Sequence, residues 1–267
     1  MTSITLPRSK TASGTAYYEV GQGEVLLLVH GVGLCLDVWA PQIDRFAASY
    51  RVIAVDMPGH GQSLELNVAD NIHDYVSWLA EFIKEIGCGP VNLCGHSMGA
   101  MITMGLALSE PQLVSRAALL CAVYRRPQSA HKAVQARAAI IAEGINDIEA
   151  PLARWFDPHG SIAERQAMAD CREWLTAVSI TGYSSAYSAF ANGDAAFASH
   201  LHQACCPMLF LTGEQDLNST AAMAEMMGAQ VPNSLVAVIR AQKHMVPLVD
   251  PSSVNQHMAA WLAMPLL

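Results

Sequence analysis

The stretch Val91-Asn-Leu-Cys94 followed by Gly95-His96-Ser97-Met98-Gly99 constrains this chain more than any other, because an apolar run passes through it straight into a helical pattern that extends to Leu108. A serine at so sharp a strand-to-helix turn projects its hydroxyl off a sheet edge, and glycines two positions to either side let the backbone fold that tightly. The helix that follows points its N-terminal dipole at the same spot and favours negative charge there. The alternative is an ordinary Gly-Ser turn at a helix start, and the strand-turn-helix setting argues against it.

Around this turn, short apolar runs alternate with helical patterns, which predicts an α/β fold with a mostly parallel sheet wrapped by helices. Thr15 to Val20 is expected to form an antiparallel edge hairpin with Val25 to Val29, turning at Gly21-Gln-Gly23. Tyr50 to Val55 is the next run and ends in the turn-rich loop Asp56-Met-Pro-Gly-His-Gly61. From Ile72, apolar residues recur at helical spacing as far as Ile86, with Gly87 at the expected C-terminal cap. Arg116 to Val123 reads as a further strand. Between about Tyr124 and Ala204 the rhythm turns helical, broken at Asp157-Pro-His-Gly160 and Thr181-Gly-Tyr183. We expect an inserted helical cap over residues 124–204, with residues 1–123 and 205–267 forming the core domain. The sheet resumes at Met208 to Leu211 and Leu235 to Ile239, and Val254 to Ala263 closes the chain as a helix.

Composition narrows the function classes. With 52% hydrophobic and 14% charged residues over 267 positions, the chain is long and apolar enough for a large core and excludes disorder. Fifteen Lys and Arg against 23 Asp and Glu give a net charge of −8, and no basic run could follow a phosphate backbone, so nucleic acid is not an expected partner. The stretch Met1 to Lys10 lacks a signal-peptide apolar run, and no segment approaches the roughly 20 apolar residues that span a bilayer, so a soluble, cytoplasmic protein is expected. The seven cysteines (35, 88, 94, 121, 171, 205 and 206) read as buried thiols in a reducing compartment. No Cys-x-x-Cys pair and no His-Glu-x-x-His spacing occurs, so neither a metal site nor a cofactor is expected.

A serine hydroxyl attacks only when a base removes its proton, so Ser97 needs a histidine brought alongside. His244 lies between the strand ending near Ile239 and the terminal helix, and so emerges at the same sheet edge. The imidazole in turn needs a carboxylate to hold its tautomer. Asp216, in the loop Thr212-Gly-Glu-Gln-Asp216, is the candidate, with Glu214 its competitor. An oxyanion formed by this attack needs preset N–H donors, each worth roughly 3–4 kcal/mol. The Met98 N–H and the Val32 N–H of His30-Gly-Val-Gly33 are placed to supply them.

At these residues the chain resembles the α/β-hydrolase family: His30-Gly31 as oxyanion loop, Asp56 to Ser63 as the loop after the next strand, Gly95 to Gly99 as nucleophile elbow, and the order Ser97, Asp216, His244. The resemblance spans about residues 14–121 and 205–264. Within the family the chain is most similar to the group of 3-oxoadipate enol-lactonases, meta-cleavage C–C hydrolases and related enzymes of aromatic and heterocycle catabolism. The resemblance implies an eight-stranded, mostly parallel sheet, no cofactor, and an acyl-enzyme or gem-diol pathway. It also implies structural roles for Asp56 and His60. Haloalkane dehalogenases and epoxide hydrolases of this fold carry aspartate where this chain has Ser97, which sets those chemistries aside.

Specificity is expected from the cap, with Arg125, Arg126, Arg154, Trp155 and Tyr187 as substrate-binding candidates and Arg137, Trp174 and Tyr183 as further possible contributors. An arginine fork suits a substrate carboxylate, although solvated cap arginines are the commoner case. The expected activity is hydrolysis of a small, carboxylated ester, enol-lactone, amide or C–C substrate by a monomer or homodimer. A broad carboxylesterase or thioesterase is the nearest alternative. A ligand-binding receptor on a hydrolase scaffold is a second, distinguished by the lack of rapid turnover. Base-only oxygenase or lyase chemistry, with Ser97 merely donating a hydrogen bond, is a third.

Overall fold

Continuous apolar runs make the middle of the sheet, because a strand with neighbours on both edges and helices on both faces has no solvent-facing position. The computed structural model describes residues 5–67 and 71–266, so the first residues of the Met1 to Lys10 stretch lie outside it. Its strands are β1 (Ser9–Lys10), β2 (Ala16–Val20), β3 (Val25–Val29), β4 (Arg51–Val55), β5 (Val91–His96), β6 (Val114–Leu120), β7 (Met208–Gly213) and β8 (Ser234–Ile239). They lie in the order β1-β2-β4-β3-β5-β6-β7-β8. The pairings from β4 through β8 are parallel, and β1 and β2 are antiparallel additions at one edge. Every residue of β3, β5 and β7 is buried. The far edge strand β8 instead alternates, burying Ala237 and Ile239 and exposing Val236 and Val238.

The expected hairpin between Thr15 to Val20 and Val25 to Val29 does not form. β4 lies between the two, antiparallel to β2 and parallel to β3. The reason is burial: β3 is buried at every position and takes an interior place, whereas β2 keeps Tyr17, Tyr18, Glu19 and Val20 partly or fully exposed and suits the periphery. The strand expected over Arg116 to Val123 stops at Leu120, because Cys121 turns into a left-handed conformation with φ 52°.

Helices α1 (Ala40–Phe46), α2 (Ile72–Glu85), α3 (Met98–Ser109), α8 (Ala221–Gly228), α9 (Val246–Val249) and α10 (Pro251–Leu262) flank the sheet. α2 turns one apolar stripe inward and ends before Gly87, which has φ 60° as a cap requires. α3 is different: Met98 through Ala107 are all buried, since the helix packs against β5, β6 and α2 together. Each fully buried Leu, Ile or Met there contributes about 1.5–3 kcal/mol of hydrophobic stabilisation, which anchors the helix whose first turn carries the site.

The inserted segment is helical, with α4 (Gln128–Ala142), α5 (Glu149–Trp155), α6 (Ile162–Ala177) and α7 (Ile180–Asn192). The break expected at Thr181-Gly-Tyr183 falls inside α7 instead, and the chain breaks at Val178-Ser179, where Ser179 caps the new helix. Gly182 is there for close approach: a Cβ on it would stand 2.5 Å from the Gly59 Cα. The cap helix thus rests directly on the 56–63 loop of the core.

Candidate active site

Ser97 sits between β5 and α3 with φ 56° and ψ −114°, a strained conformation for a residue with a side chain. The turn survives because its neighbours are glycines. A Cβ on Gly95 would collide with the Gly99 carbonyl oxygen, and one on Gly99 with the Val29 carbonyl oxygen. The Ser97 N–H donates to the Leu120 carbonyl at 2.9 Å, which ties the turn to β6.

His244 and Asp216 arrive from the loops after β8 and β7. His244 Nδ1 lies 2.7 Å from Asp216 Oδ2, and both side chains are buried. Burial alone would raise the Asp216 carboxyl, but the His244 charge and hydrogen bond, with the N–H groups of Ser219 and Asn218, outweigh it and hold the group below its ordinary value. An ionised carboxylate only accepts, so Nδ1 carries the proton shared with Asp216, and the neutral form of this imidazole has its lone pair at Nε2. Ser97 and His244 line the same cavity. Glu214, the competing carboxylate, is used elsewhere, accepting the Ala241 N–H at 2.8 Å.

Behind the imidazole, His96 Nε2 lies 3.0 Å from the His244 carbonyl oxygen, and the Cys121 thiol donates to the same oxygen at 3.3 Å. Burial pushes His96 down to about 3 and holds Cys121 well above the ordinary thiol range, so both stay neutral. His96, Cys121 and His244 are also the His/Cys group whose donor atoms lie within 4.8 Å of one another. Here His96 Nε2 and the Cys121 thiol meet the His244 backbone carbonyl and His244 Nδ1 meets Asp216, while His96 Nδ1 is buried without a hydrogen-bond partner among the described residues. In front, the Trp155 ring stacks on His244 at 5.7 Å, and Lys243 Nζ donates to the Phe156 carbonyl at 2.9 Å, so the end of α5 is tied over the histidine.

The 31–34 loop runs against the serine, since a Cβ on Gly31 would lie 3.0 Å from Ser97 Cβ. Val32 lines the cavity, and neither its N–H nor that of Met98 donates to another described residue. The loop is held by neutral histidines. His60 Nε2 accepts the Gly33 N–H and His30 Nε2 accepts the Met57 N–H, both at 2.9 Å. Burial pushes His60 down to about 4 and His30 well below the ordinary imidazole value, the latter helped by the neighbouring His60. Because these folded-state values lie below the unfolded one, their stabilising effect is complete above about pH 6.5 and is lost as pH falls toward the folded values. Stability is therefore expected to fall by up to about 1.4 kcal/mol per pH unit for each such histidine between about pH 6.5 and 5, before most carboxylates titrate. Urea midpoints that stay constant over that window would contradict it.

The cavity has a volume of about 550 Å³. All five expected substrate-binding residues, Arg125, Arg126, Arg154, Trp155 and Tyr187, lie on its wall, as do the further contributors Arg137 and Tyr183. Trp174 does not, and packs against the core from α6 instead. Phe190, and the wall formed by Leu217, Asn218, Thr220, Met223 and Met226, were not foreseen. Tyr183, Tyr187 and Phe190 fall at i, i+4 and i+7, a helical stripe that was readable as one face. The far wall rests on a loop and a short helix whose sequence carries no such signal.

A model of the alpha/beta hydrolase family matches residues 26–257. The chain belongs to the alpha/beta hydrolase family. It is 45% identical over 260 residues, 97% of each chain, to (E)-2-((N-methylformamido)methylene)succinate hydrolase of Acinetobacter baylyi. It is 25% identical to 3-oxoadipate enol-lactonase 2 of the same organism, with 91% of each chain covered. Among solved structures, the enol-lactonase from Burkholderia xenovorans superposes with TM-score 0.86 at 22% identity, covering 96% of this chain and 99% of the other. An esterase from Thermogutta terrifontis gives 0.85 at 23%, covering 96% and 98%. The solved esterase and enol-lactonase share the fold of this alpha/beta hydrolase, and its 45% relative is a different hydrolase from the subgroup the motifs suggested. No helix among the described residues is long and apolar enough to cross a membrane.

Proposed function

We propose that this chain is a serine hydrolase that cleaves the acyl–nitrogen bond of a small, dicarboxylated N-acyl enamide, with Ser97 as nucleophile, His244 as general base and Asp216 as its orienting carboxylate. The observation that carries the reading is the wall of the cavity. In a chain of net charge −8, Ser97 and His244 open into a cavity lined by four arginines and, among the described residues, by no Asp or Glu. Such a wall selects anions and holds carboxylates by paired N–H groups. The name of the 45% relative describes a succinate bearing an N-methylformamide through a methylidene double bond, which has two carboxylates and one acyl–nitrogen bond. The cap of residues 124–204 over the core supplies this wall, and the seven free cysteines support a reducing, cytoplasmic setting.

On such a substrate Ser97 Oγ attacks the formyl carbon as His244 Nε2 takes the hydroxyl proton. The Val32 and Met98 N–H groups receive the oxyanion. The C–N bond then breaks, and His244 returns the proton to the leaving enamine nitrogen. Water, deprotonated by the same histidine, attacks the formyl-serine and releases formate. One water is consumed, and neither metal nor redox partner enters. The test is to follow formate release from the relative's formamide substrate and to map fluorophosphonate labelling by peptide mass. Turnover with label on Ser97 supports the reading. An inert, unlabelled protein overturns it.

A further inference from the structure

Resting on that reading, we infer that Arg137 and Arg154 are the two residues that bind the substrate carboxylates, and that the more deeply buried Arg126 is not one of them. The four guanidiniums of the cavity differ in what already holds them. Arg126 is neutralised within the protein: Nη1 lies 3.3 Å from Asp194 Oδ1, the backbone N–H donates to Asp194 Oδ2 at 2.6 Å, and the guanidinium sits 4.3 Å over the Phe190 ring. Its role is to fasten the start of the cap to the end of α7. Arg125 and Arg154 are both exposed, and what separates them is their surroundings: the Arg125 guanidinium lies 5.4 Å from the Tyr124 ring centroid, whereas Arg154 directly precedes Trp155, whose ring stacks on His244.

Arg137 and Arg154 have no such counter-charge. Neither is within 4.0 Å of a carboxylate among the described residues. Arg137 is aimed by neutral groups: Nη2 donates to the Asp147 carbonyl at 2.7 Å and the guanidinium lies 5.6 Å from the Tyr187 ring centroid; its buried Nε has no acceptor, as the buried Nη2 of Arg126 has none, so the ion pair to Asp194 is what distinguishes the two. Both arginines act on the same two phenols. Burial raises Tyr187 to about 12 and also raises Tyr183, and the charges of Arg137 and Arg154 partly offset that rise in each. Arg137 beside the Tyr187 ring and Arg154 beside Trp155 thus bring two guanidiniums without a carboxylate partner among the described residues to the cavity wall that holds Tyr183 and Tyr187. A dicarboxylate offers one carboxylate to each guanidinium, which a monoanion does not.

The test uses four substrates that share the formamide: the dicarboxylate of the relative's name, its two primary monoamides and the neutral diamide. The readout is the ratio of kcat/KM for the dicarboxylate to that for the diamide. Arg137→Gln and Arg154→Gln are each expected to lower this ratio at least about tenfold, mainly through KM, and the double variant about 100-fold. Each single variant is expected to become indifferent to one carboxylate, which the two monoamides identify. Arg126→Gln is expected to lower Tm while shifting the ratio less than either. Unchanged ratios in both single variants, or a larger drop in Arg126→Gln, overturn the assignment. Should a variant not fold, a wild-type ratio near one overturns it equally. If no substrate turns over and Ser97 is unlabelled, the hydrolase reading has failed by itself. Calorimetric titration of wild type and both variants with succinate then still decides: binding lost in both variants supports the two anchors, and binding retained in either overturns them.

Discussion

Ser97→Ala is expected to keep the fold and lose about 10⁶-fold in kcat, the scale on which removal of an activated serine acts elsewhere. The fold should hold because the substitution removes a single oxygen. The Ser97 N–H bond to Leu120 is a backbone contact, and the glycines that permit the turn are untouched. The nearby thiol cannot replace the hydroxyl. The other nucleophile nearby, Cys121, is fully buried, donates to the His244 carbonyl and is held as a neutral thiol by burial and by Asp216. Single-turnover and steady-state assays of purified Ser97→Ala, with an unchanged Tm as the check on folding, measure the effect. Residual turnover within about tenfold of wild type would mean that no acyl-serine forms. His244 would then act as base in a different reaction, with Ser97 as a hydrogen-bond donor.

The cap is coupled to this chemistry as well as roofing it. Trp155 stacks on the imidazole, and the neighbouring Phe156 carbonyl is held by Lys243, one residue before His244. Displacing α5 would therefore disturb His244 along with the roof. The same short segment carries Arg154, one of the proposed carboxylate anchors, so substrate charge and histidine position are read through one helix end. Binding energy from a remote carboxylate can in this way be realised at the reacting centre.

What could be read in advance followed from local constraint. The turn at Ser97 was legible because two glycines at close approach leave few other conformations, and the orders of strand and helix around it because buried parallel strands are written as unbroken apolar runs. Asp216 and His244 were legible from position, each following a strand that ends at the same edge. The place of β2 was not, since period and turn residues say that two strands are near in sequence and nothing about a third inserted between them. The continuity of α7 through Gly182 was hidden too, because a glycine that permits helix-on-loop contact looks like a glycine that ends a helix. The arginines show the same limit most clearly. Arg126 and Arg137 are indistinguishable as letters, and only the position of Asp194, 68 residues from Arg126, separates a guanidinium already neutralised from one left for a ligand.

Asp216→Asn is expected to lower kcat by about 10⁴-fold while the site keeps its shape, and the hydrogen bonds around the carboxylate give the reason. Asp216 Oδ1 accepts the N–H groups of Asn218 at 2.8 Å and Ser219 at 3.1 Å, while Oδ2 faces His244 Nδ1 at 2.7 Å. In the asparagine variant the amide oxygen must take the Oδ1 place, because turning it the other way sets an NH₂ against two N–H donors and forfeits two bonds of roughly 1 kcal/mol each to keep one. The NH₂ group then faces Nδ1, which must offer its lone pair, and the proton moves to Nε2. An Nε2 that already carries a proton cannot take one from Ser97, so the imidazole remains in place in the wrong tautomer. Glu214→Gln, at a side chain that accepts the Ala241 N–H, is expected to change kcat less than about threefold. Pre-steady-state formate release for the two variants, with ¹⁵N chemical shifts of the His244 ring to report the tautomer, separates the cases. Normal turnover in Asp216→Asn with slow turnover in Glu214→Gln would move the orienting carboxylate from Asp216 to Glu214.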